Sequence, residues 1–465
     1  MKKLLLHVVD NEQRDLAVRL NLALQLSLHG YQSILVKGSS LSYLIQSTEN
    51  CIVLGRLSAN IPSLKELNKI HAASTSVFYF HDEGAFHSDL NYNEFVSKNQ
   101  ALPFISHDAI KKIFFWGNHQ LKIAKTLISS HESKLCLAGS ARFDFVQSKT
   151  FLTPGNKKSI TSILIATKGG SIFPSSNHAH PLGKRMRNIL SLVIKDKNYL
   201  ERTLFGRWKK SAIDAVCFVD LITELSREFP DISITVRPHP SEDPFAYNTA
   251  FSENYNVTVQ PEGDIFSLMQ SHSLLIGCDC TTGIEGILVG KPYINYRPLE
   301  SRLLDQYAPR FLDKIGLVIE RKRDVIDAIF SLNQNPENYN ELINKQYSDI
   351  SFLSDVVANL PNGSSQAVPF FEVIGQYLNS YCSTHPQKST FSRTLFLMLL
   401  MRVFIVDCLR MRNVLKNPVL WRISASSLRA FKHQVAQFNE SSPSCSVKFN
   451  KASVIITPHS YLPFQ

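Results

Sequence analysis

Two apolar segments that each end in a polar turn constrain the fold more than any other feature of this sequence. They comprise residues 233–240 and residues 274–292. Each begins with a run of β-branched residues and leucines, as a buried strand of a parallel sheet does. The runs reach polar turns at residues 237–240 and 278–283. In an open α/β sheet, ligands bind at the carboxyl ends of the strands, where such turns lie. The sequence therefore predicts a doubly wound α/β fold with a ligand site formed by these turns.

The first turn is predicted to contact a phosphate group. Pro238 and Pro240 restrict the backbone on both sides of His239 and leave its side chain projecting from the strand end. A single histidine is more often structural. Between two prolines at a strand end, however, it is better explained as a donor to a leaving phosphate, with Arg237 as a second donor.

The second turn is predicted to bind the same phosphate through a helix N-terminus. Thr281, Thr282 and Gly283 open a segment with helical spacing, so free amides, two hydroxyls and the positive helix end converge there. The threonines could equally cap the helix, which is compatible with phosphate binding. Glu285, one turn later, could accept hydrogen bonds from a ribose or be satisfied by the helix N-terminus. Lys168 and Gly169, after another predicted strand, form a further anion-binding turn.

The chain is long enough for two domains, because 465 residues exceed the usual size of one. Strand-like runs alternate with segments of helical spacing through residues 1–152, and the pattern restarts after a turn-rich stretch at residues 153–158. We therefore predict an N-terminal Rossmann-like domain at residues 1–152 and a second at residues 153–380. The two are expected to face each other across a cleft.

Residues 381–465 form a tail of different character. Residues 386–465 hold eleven Lys or Arg and two Asp or Glu, whereas the remaining 385 residues hold 39 and 37. The basic excess therefore belongs to the tail, which argues against nucleic acid as a partner of the folded body. The apolar run at residues 394–406 is too short to span a bilayer. We predict a cationic amphipathic helix at residues 393–416 on an anionic membrane surface; the alternative is burial against the body.

The cysteines and the N-terminus indicate a cytoplasmic protein. The eight cysteines are scattered without a CxxC pair, which favours reduced thiols over a disulfide framework. A zinc site at Cys278 and Cys280 is not expected, because no second ligand pair has matching spacing. The first residues show no signal peptide, since the apolar run after Lys3 is too short and lacks a cleavage site.

Acidic residues at two other strand ends are candidates for chemistry. Asp82 and Glu83 follow a predicted strand of the first domain, where paired acids are costly to bury unless they are used or paired. The alternative without a functional role is a solvent-exposed turn. Opposite a phosphate site, one of these carboxylates could deprotonate an acceptor hydroxyl or attack an anomeric carbon. Asp144 could pair with Arg142 structurally, and a role in the cleft is the second possibility.

Taken together, five motifs resemble a known family. Their order along the chain is similar to that of bacterial surface-carbohydrate biosynthesis proteins, the GT-B enzymes of lipopolysaccharide and capsule assembly. More distantly, they look like bacterial sialyltransferases and β-Kdo transferases. The resemblance covers about residues 1–375, and the motifs are His81–Gly84, Phe114–Gly117, Gly139–Asp144, Arg237–Pro240 and Cys280–Glu285.

The resemblance implies roles for several residues. His239 and the hydroxyls of Thr281 and Thr282 would hold the phosphate of a CMP-activated donor, and the pair Asp82 and Glu83 would supply the catalytic carboxylate. It further implies a glycosyltransferase without a metal or cofactor, since protein donors replace a metal at the leaving phosphate. The expected donor is a CMP-activated 2-keto sugar acid such as Kdo or a nonulosonate. The acceptor would be a lipid-linked glycan at the inner face of the bacterial plasma membrane.

Three alternative functions stay open at this stage. A glycerol- or ribitol-phosphate transferase of teichoic-acid type also carries an Arg-x-His-Pro motif and a paired-hydroxyl helix start. A UDP-sugar 2-epimerase has the same two-domain arrangement, although the amphipathic tail disfavours it. A non-catalytic GT-B-like subunit could bind glycan or act as a scaffold. Two departures from the family pattern leave the donor sugar open: Ser140-Ala141 replaces the usual Asn-Pro, and threonines replace the serines common in the sialyltransferase relatives.

Overall fold

The structure is a computed structural model. It describes residues 4–9, 12–37, 41, 44–45, 48–56, 63–81, 86, 92–148, 159–168, 199–240, 242–263, 265–360, 367–386, 390–391, 445–450 and 453–458. Its strands are β1 (Leu4–Val9), β2 (Gln32–Lys37), β3 (Thr48–Glu49), β4 (Ile52–Leu54), β5 (Ser76–Phe80), β6 (Ile110–Phe115), β7 (Leu135–Leu137), β8 (Ser162–Ala166), β9 (Ser233–Arg237), β10 (Val257–Val259), β11 (Leu274–Gly277), β12 (Tyr293–Tyr296), β13 (Leu317–Ile319), β14 (Thr390–Phe391), β15 (Cys445–Asn450) and β16 (Ser453–Pro458). Its α-helices are α1 (Glu12–Leu28), α2 (Leu64–Ala72), α3 (Tyr92–Asn99), α4 (Asn118–Leu127), α5 (Ala141–Ser148), α6 (Tyr199–Glu228), α7 (Pro244–Ala250), α8 (Ile265–Ser271), α9 (Thr281–Leu288), α10 (Lys322–Gln334), α11 (Pro336–Asp349) and α12 (Phe370–Thr384).

The chain divides into two compact units, each built on its own sheet. Unit 1 comprises Met1–Ala85, Asn93–Phe145 and Ser354–Gln465, and unit 2 comprises Phe86–Tyr92 and Val146–Leu353. Parallel strands with intervening helices make up most of both units. The predicted fold class, an α/β chain with two Rossmann-like domains, is therefore confirmed.

Unit 2 has the strand order of the Rossmann fold. Its six strands run β10-β9-β8-β11-β12-β13, and every neighbouring pair is parallel. The strands are short apolar runs because helices cover both faces of the sheet. One buried core joins β8, β9 and β11 to α6 and α10; among its fully buried members are Ile163, Ile234, Leu274, Leu221 and Ile329.

Unit 1 has an eight-stranded mixed sheet in the order β15-β16-β2-β1-β4-β5-β6-β7. Six of these strands, β2, β1, β4, β5, β6 and β7, are parallel, as their buried apolar sequences indicate. The other two come from the tail: β16 pairs antiparallel with β2, and β15 pairs antiparallel with β16. Strand β14, which also belongs to the tail, pairs antiparallel with β3 near the N-terminus. The end of the tail is thus part of the unit 1 sheet, which differs from the separate appendage that the sequence suggested.

The segment around α12 belongs to unit 1, although the sequence analysis placed residues up to 380 in the second domain. Aromatic packing explains the difference. The ring of Phe370 meets that of Phe80 edge-on with centroids 5.0 Å apart, and Tyr377 meets Phe114 at 5.6 Å. These contacts bury the apolar face of α12 against β5 and β6.

The predicted amphipathic helix at residues 393–416 lies outside the described residues. Among the helices that are described, none is long and apolar enough to cross a membrane. Contact of this segment with a membrane surface therefore stays a prediction.

Candidate functional site

The sheet of unit 2 reverses its direction of growth between β8 and β11. Strands β9 and β10 are added in sequence on one side of β8. Strands β11, β12 and β13 are then added in sequence on its other side. The loops after β8 and β11 consequently leave the sheet toward opposite faces. A crevice forms at this point in such sheets, and ligands bind there, outside the carboxyl ends of the strands.

Lys168 lies at this switch point, one residue after Thr167 at the end of β8. Its ammonium Nζ donates to the carbonyl oxygen of Asp279 over 3.3 Å, just ahead of α9. Its own carbonyl oxygen accepts a hydrogen bond from the Ser211 hydroxyl of α6 at 3.1 Å. Backbone and side chain each make a hydrogen bond, and the ammonium of this exposed lysine lies beside the start of α9. Gly169, the other residue of this predicted turn, lies outside the described residues.

Thr281 and Thr282 occupy the first two positions of α9. The N-cap is Cys280, which makes no side-chain cap, so the threonines are not the N-cap that the sequence allowed. The Cys280 thiol instead donates to the Thr282 hydroxyl at 3.2 Å. Both threonines are partly exposed, whereas the rest of α9 is buried. The first amides of a helix have no partner within it, so two hydroxyls and a positive helix end meet at the switch point.

Gly283 allows α9 to pack closely on β12. A Cβ atom at this position would lie 2.4 Å from the ring of Tyr293, which is closer than real contacts allow. The same is true of Gly286, where a Cβ would lie 2.1 Å from a methyl group of Leu275. The glycine that the sequence analysis assigned to a phosphate turn therefore has a packing role in fixing the start of the helix.

Asp279 anchors the same turn in a conformation that few residues adopt. Its φ of 43° is left-handed, which aspartate and asparagine tolerate better than most side chains. Its amide donates to Asn295 Oδ1 at 3.0 Å, and its carboxylate accepts from Arg297 Nε at 2.9 Å. Arg297 also pairs with Asp305 at 3.1 Å. Burial lowers the pKa of Arg297, but Asp279 and Asp305 outweigh this effect and raise it above its usual value.

A second buried ion pair lies beside the first. Lys210 of α6 contacts Asp214 at 3.1 Å and the Ser301 hydroxyl at 3.1 Å, and it lies 3.6 Å from Asp305. Burial lowers the pKa of Lys210, yet Cys278, Asp214 and Asp279 raise it beyond its ordinary value. Sequence analysis missed both ion pairs. Asp279 and Arg297 lie in different elements, and Lys210 and Asp214 have the spacing of one helical turn, which is too common to mark a buried pair.

Arg237 is buried at the end of β9 and donates to the backbone. Its guanidinium nitrogens reach the carbonyl oxygens of Gln260 and Gly263, both at 2.9 Å. These contacts hold the loop after β10. The structure therefore gives Arg237 a structural role that the sequence analysis did not anticipate, and a direct contact with phosphate stays a prediction.

His239 and Pro240 are exposed in the turn after β9, as expected for a contact with ligand. The amide of His239 donates to the Glu242 carboxylate at 2.7 Å, and the Glu242 amide donates back to the His239 carbonyl at 2.8 Å. Glu242 also accepts a hydrogen bond from the Thr167 hydroxyl. Sequence analysis missed Glu242, and the signal that could have found it is an acid three residues after His239, the spacing that closes a tight turn.

Glu285, the predicted ribose acceptor, is fully buried inside α9. A ribose could contact its carboxylate only if neighbouring side chains moved. The predicted catalytic pair, Asp82 and Glu83, lies outside the described residues. Its neighbour His81 is buried, and its carbonyl oxygen accepts from the Trp116 indole at 2.8 Å. The meeting of these acids with His239 stays a prediction.

Asp144 has a structural role in unit 1. Its carboxylate accepts from Asn359 Nδ2 at 2.7 Å and from the amides of Phe370 and Phe371, both at 3.0 Å. The carboxylate therefore satisfies the first amides of α12, as an N-cap side chain would. The structural pairing of Asp144 with Arg142 stays a prediction. Burial raises the pKa of Asp144 to about 6 in spite of these hydrogen bonds.

Within the described part of the chain, no cluster of three or more His, Cys, Asp or Glu side chains could hold a metal ion. The expectation of a metal-independent site stays a prediction.

Comparisons with known proteins give similarities of structure. The sequence matches no protein-family model and no curated protein. A variant of the wall teichoic acid polymerase TagF with CDPG is 10% identical, with 83% of this chain and 89% of that chain covered and a TM-score of 0.48. The UDP-GlcNAc 2-epimerase of Methanocaldococcus jannaschii, in complex with UDP-GlcNAc and UDP, is 12% identical over 82% and 100%, with a TM-score of 0.42. Anabaena HepE in complex with UDP and glucose is 10% identical over 81% and 100%, with a TM-score of 0.40.

Proposed function

We propose that unit 2 binds the phosphate of a nucleotide-activated sugar at the switch point between β8 and β11. The supporting observation is the position of Lys168, whose ammonium donates to the Asp279 carbonyl just ahead of α9. A phosphate placed there would meet a lysine, the hydroxyls of Thr281 and Thr282, and the positive end of a helix. His239, exposed on the neighbouring loop, would be a further donor.

Charge favours a donor with one phosphate over a donor with two. Among the described cations at this edge of the sheet, Arg297 and Lys210 are neutralised by buried carboxylates. Arg237 is bound to two carbonyls. Lys168, in contrast to the buried Arg237, is exposed, and its ammonium donates to a carbonyl, which carries no net charge. A single lysine charge matches the one negative charge of the phosphodiester in a CMP-sugar better than the two charges of a pyrophosphate.

On this basis we propose a glycosyltransferase of bacterial surface-polysaccharide biosynthesis. It would transfer a CMP-activated 2-keto sugar acid, such as Kdo or a nonulosonate, to a lipid-linked glycan. Asp82 or Glu83 would act as the base or nucleophile. The enzyme would work at the inner face of the plasma membrane, held to anionic lipid by residues 393–416.

A thermal-shift screen of CMP, CDP, UDP and GDP tests the donor class, because a ligand that binds only the folded state raises the melting temperature. CMP should stabilise the protein most. Stronger stabilisation by CDP would favour the glycerol- or ribitol-phosphate transferase, and stabilisation by UDP alone would favour the epimerase. Absence of a shift with every nucleotide would refute the phosphate site.

Lys168→Ala tests the placement of the site. Loss of one charge-assisted hydrogen bond should weaken CMP binding by roughly ten- to a hundredfold, or about 1.5–3 kcal/mol. The matched control is Lys345→Ala, which removes an exposed lysine of unit 2 that pairs with Asp349 on α11. Its neighbour Gln346 contacts the start of β12, at the opposite end of the strand from the switch point. Equal weakening in both variants would contradict the proposed position.

A further inference from the structure

Glu242 joins two loops that leave the sheet at the ligand edge of unit 2. One is the β8 loop, defined as Thr167 and Lys168, and the other is the β9 loop, defined as residues 238–240 and 242. A single carboxylate oxygen, Oε2 of Glu242, accepts both the Thr167 hydroxyl and the amide of His239, the latter at 2.7 Å. The two loops therefore share one acceptor.

The same contacts fix the backbone of His239 from both sides. The Glu242 amide donates to the His239 carbonyl at 2.8 Å, and the His239 amide donates to the Glu242 side chain. These two hydrogen bonds close a tight turn with the histidine at its first position. The Thr167 amide also donates to the carbonyl oxygen of Arg237 at 3.2 Å, so the β8 loop is held against the end of β9 as well.

Burying a charged carboxylate at this position is unfavourable in free energy. Glu242 is only 2% exposed, and burial raises its pKa to about 7 in spite of the hydrogen bonds from Thr167 and His239. The titratable side chain that faces it from α7 is Tyr247, whose pKa the Glu242 charge raises further after burial. No cation compensates Glu242 among these described neighbours. Groups kept in such surroundings commonly serve a site more than they stabilise the fold.

We propose that Glu242 is a positioning residue, which holds His239 of the β9 loop and Lys168 of the β8 loop in the geometry that binds nucleotide phosphate. This inference rests on the proposed nucleotide site. Glu242 itself would not touch the ligand. It would act as a hydrogen-bond acceptor that sets the separation between two residues on different loops.

The binding test compares Glu242→Ala, Glu242→Gln and His239→Ala by calorimetric titration with CMP. Glu242→Ala should weaken binding by about tenfold or more, the effect of one lost hydrogen bond in the site. Glu242→Gln keeps an acceptor oxygen and should stay within about threefold of the unmodified protein. If Glu242 acts through His239, Glu242→Ala should add little further loss to a protein that already carries His239→Ala.

Two results would overturn the proposal. One is unchanged CMP affinity in Glu242→Ala together with a lower melting temperature, which would make the residue purely structural. The other is Glu242→Gln binding as weakly as Glu242→Ala, since the charge and not the tether would then matter. Should Glu242→Ala fail to fold, Thr167→Val removes one of the two donors to Glu242 and should still weaken binding; unchanged affinity would count against the tether.

Hydrogen exchange separates this inference from the proposed function, because it needs no nucleotide. The amide of His239 should exchange at least about tenfold faster in Glu242→Ala, since its acceptor is lost. The amides of β9 itself should be unaffected. Faster exchange with no CMP binding by the unmodified protein would refute the nucleotide site and retain the tether. Unchanged exchange with normal CMP binding would refute the tether alone.

Discussion

Among the charged contacts of the site, the ion pair between Asp279 and Arg297 should cost the most stability when it is broken. Asp279→Asn is the sharpest perturbation, because asparagine tolerates the left-handed backbone at φ 43° about as well as aspartate does. The substitution therefore removes the charge and leaves the turn its preferred conformation. Arg297 would lose its 2.9 Å carboxylate partner in a place where only 1% of Asp279 is exposed.

The expected loss of stability follows from these contacts. Removing one partner of a fully buried ion pair costs about 3–5 kcal/mol, because the remaining charge is stranded. Arg297 keeps Asp305 at 3.1 Å, and its own side chain is 13% exposed. The cost should therefore fall to about 2–3 kcal/mol, near the value of a charge-assisted hydrogen bond. CMP binding should change little, since the carbonyl that positions Lys168 belongs to the backbone of residue 279 and is kept in Asp279→Asn.

Urea unfolding measures this cost, and two variants control for other effects. Asp305→Asn removes the outer partner of Arg297, whose side chain is 34% exposed, and should cost less than about 1 kcal/mol. Asp279→Ala should cost about 1 kcal/mol more than Asp279→Asn, because alanine is less suited to the left-handed backbone. A loss below about 0.5 kcal/mol for Asp279→Asn, or equal losses in Asp279→Asn and Asp305→Asn, would refute the reasoning.

Three further predictions concern other parts of the chain. Asp144→Asn should abolish one contribution to the pH dependence of stability. Because the pKa of Asp144 is raised to about 6, the folded protein holds this proton more tightly than the unfolded chain does. The stability that Asp144 contributes is therefore present below pH 4 and is lost as the pH rises through 6. In urea titrations, the advantage of the unmodified protein over Asp144→Asn should therefore be about 1.4 kcal/mol larger at pH 5 than at pH 7.5. Gly283→Ala should lower stability by about 1–3 kcal/mol in thermal unfolding, because its methyl group would overlap the Tyr293 ring, and a variant as stable as the original would contradict the close packing of α9. Glu83→Ala should abolish sugar transfer in a mass-based product assay while CMP still binds, and retained turnover would remove Glu83 from the mechanism.

The regular elements of both units could be predicted from local sequence. Buried parallel strands consist of apolar runs that end in glycine or a polar turn, and β1, β5 and β8 are runs of this kind. The tail could not be assigned in this way. Strand β16 pairs with β2, more than 400 residues earlier in the chain, and no local pattern specifies such a partner.

The candidate site was predictable where one residue type at a strand end carries the signal. The exposed His239 turn and the two threonines at the start of α9 belong to this class. Partners that depend on tertiary contacts could not be predicted. The contacts of Arg237 with the carbonyls of Gln260 and Gly263, beyond the next strand, are an example. Glu242 was missed for the same reason, since Thr167 comes from another strand end.

The way unit 1 is assembled from distant parts of the chain sets an order for folding during synthesis. Unit 2 is almost continuous, from Val146 to Leu353, so all strands of its sheet have left the ribosome while the later part of unit 1 is still being made. The outer side of β2, in contrast, acquires its neighbour only once Ser453–Pro458 emerges. Until that moment β2 presents an open edge that other chains could join. Nascent chains that stall before residue 453 should consequently aggregate through unit 1, even though unit 2 is already folded.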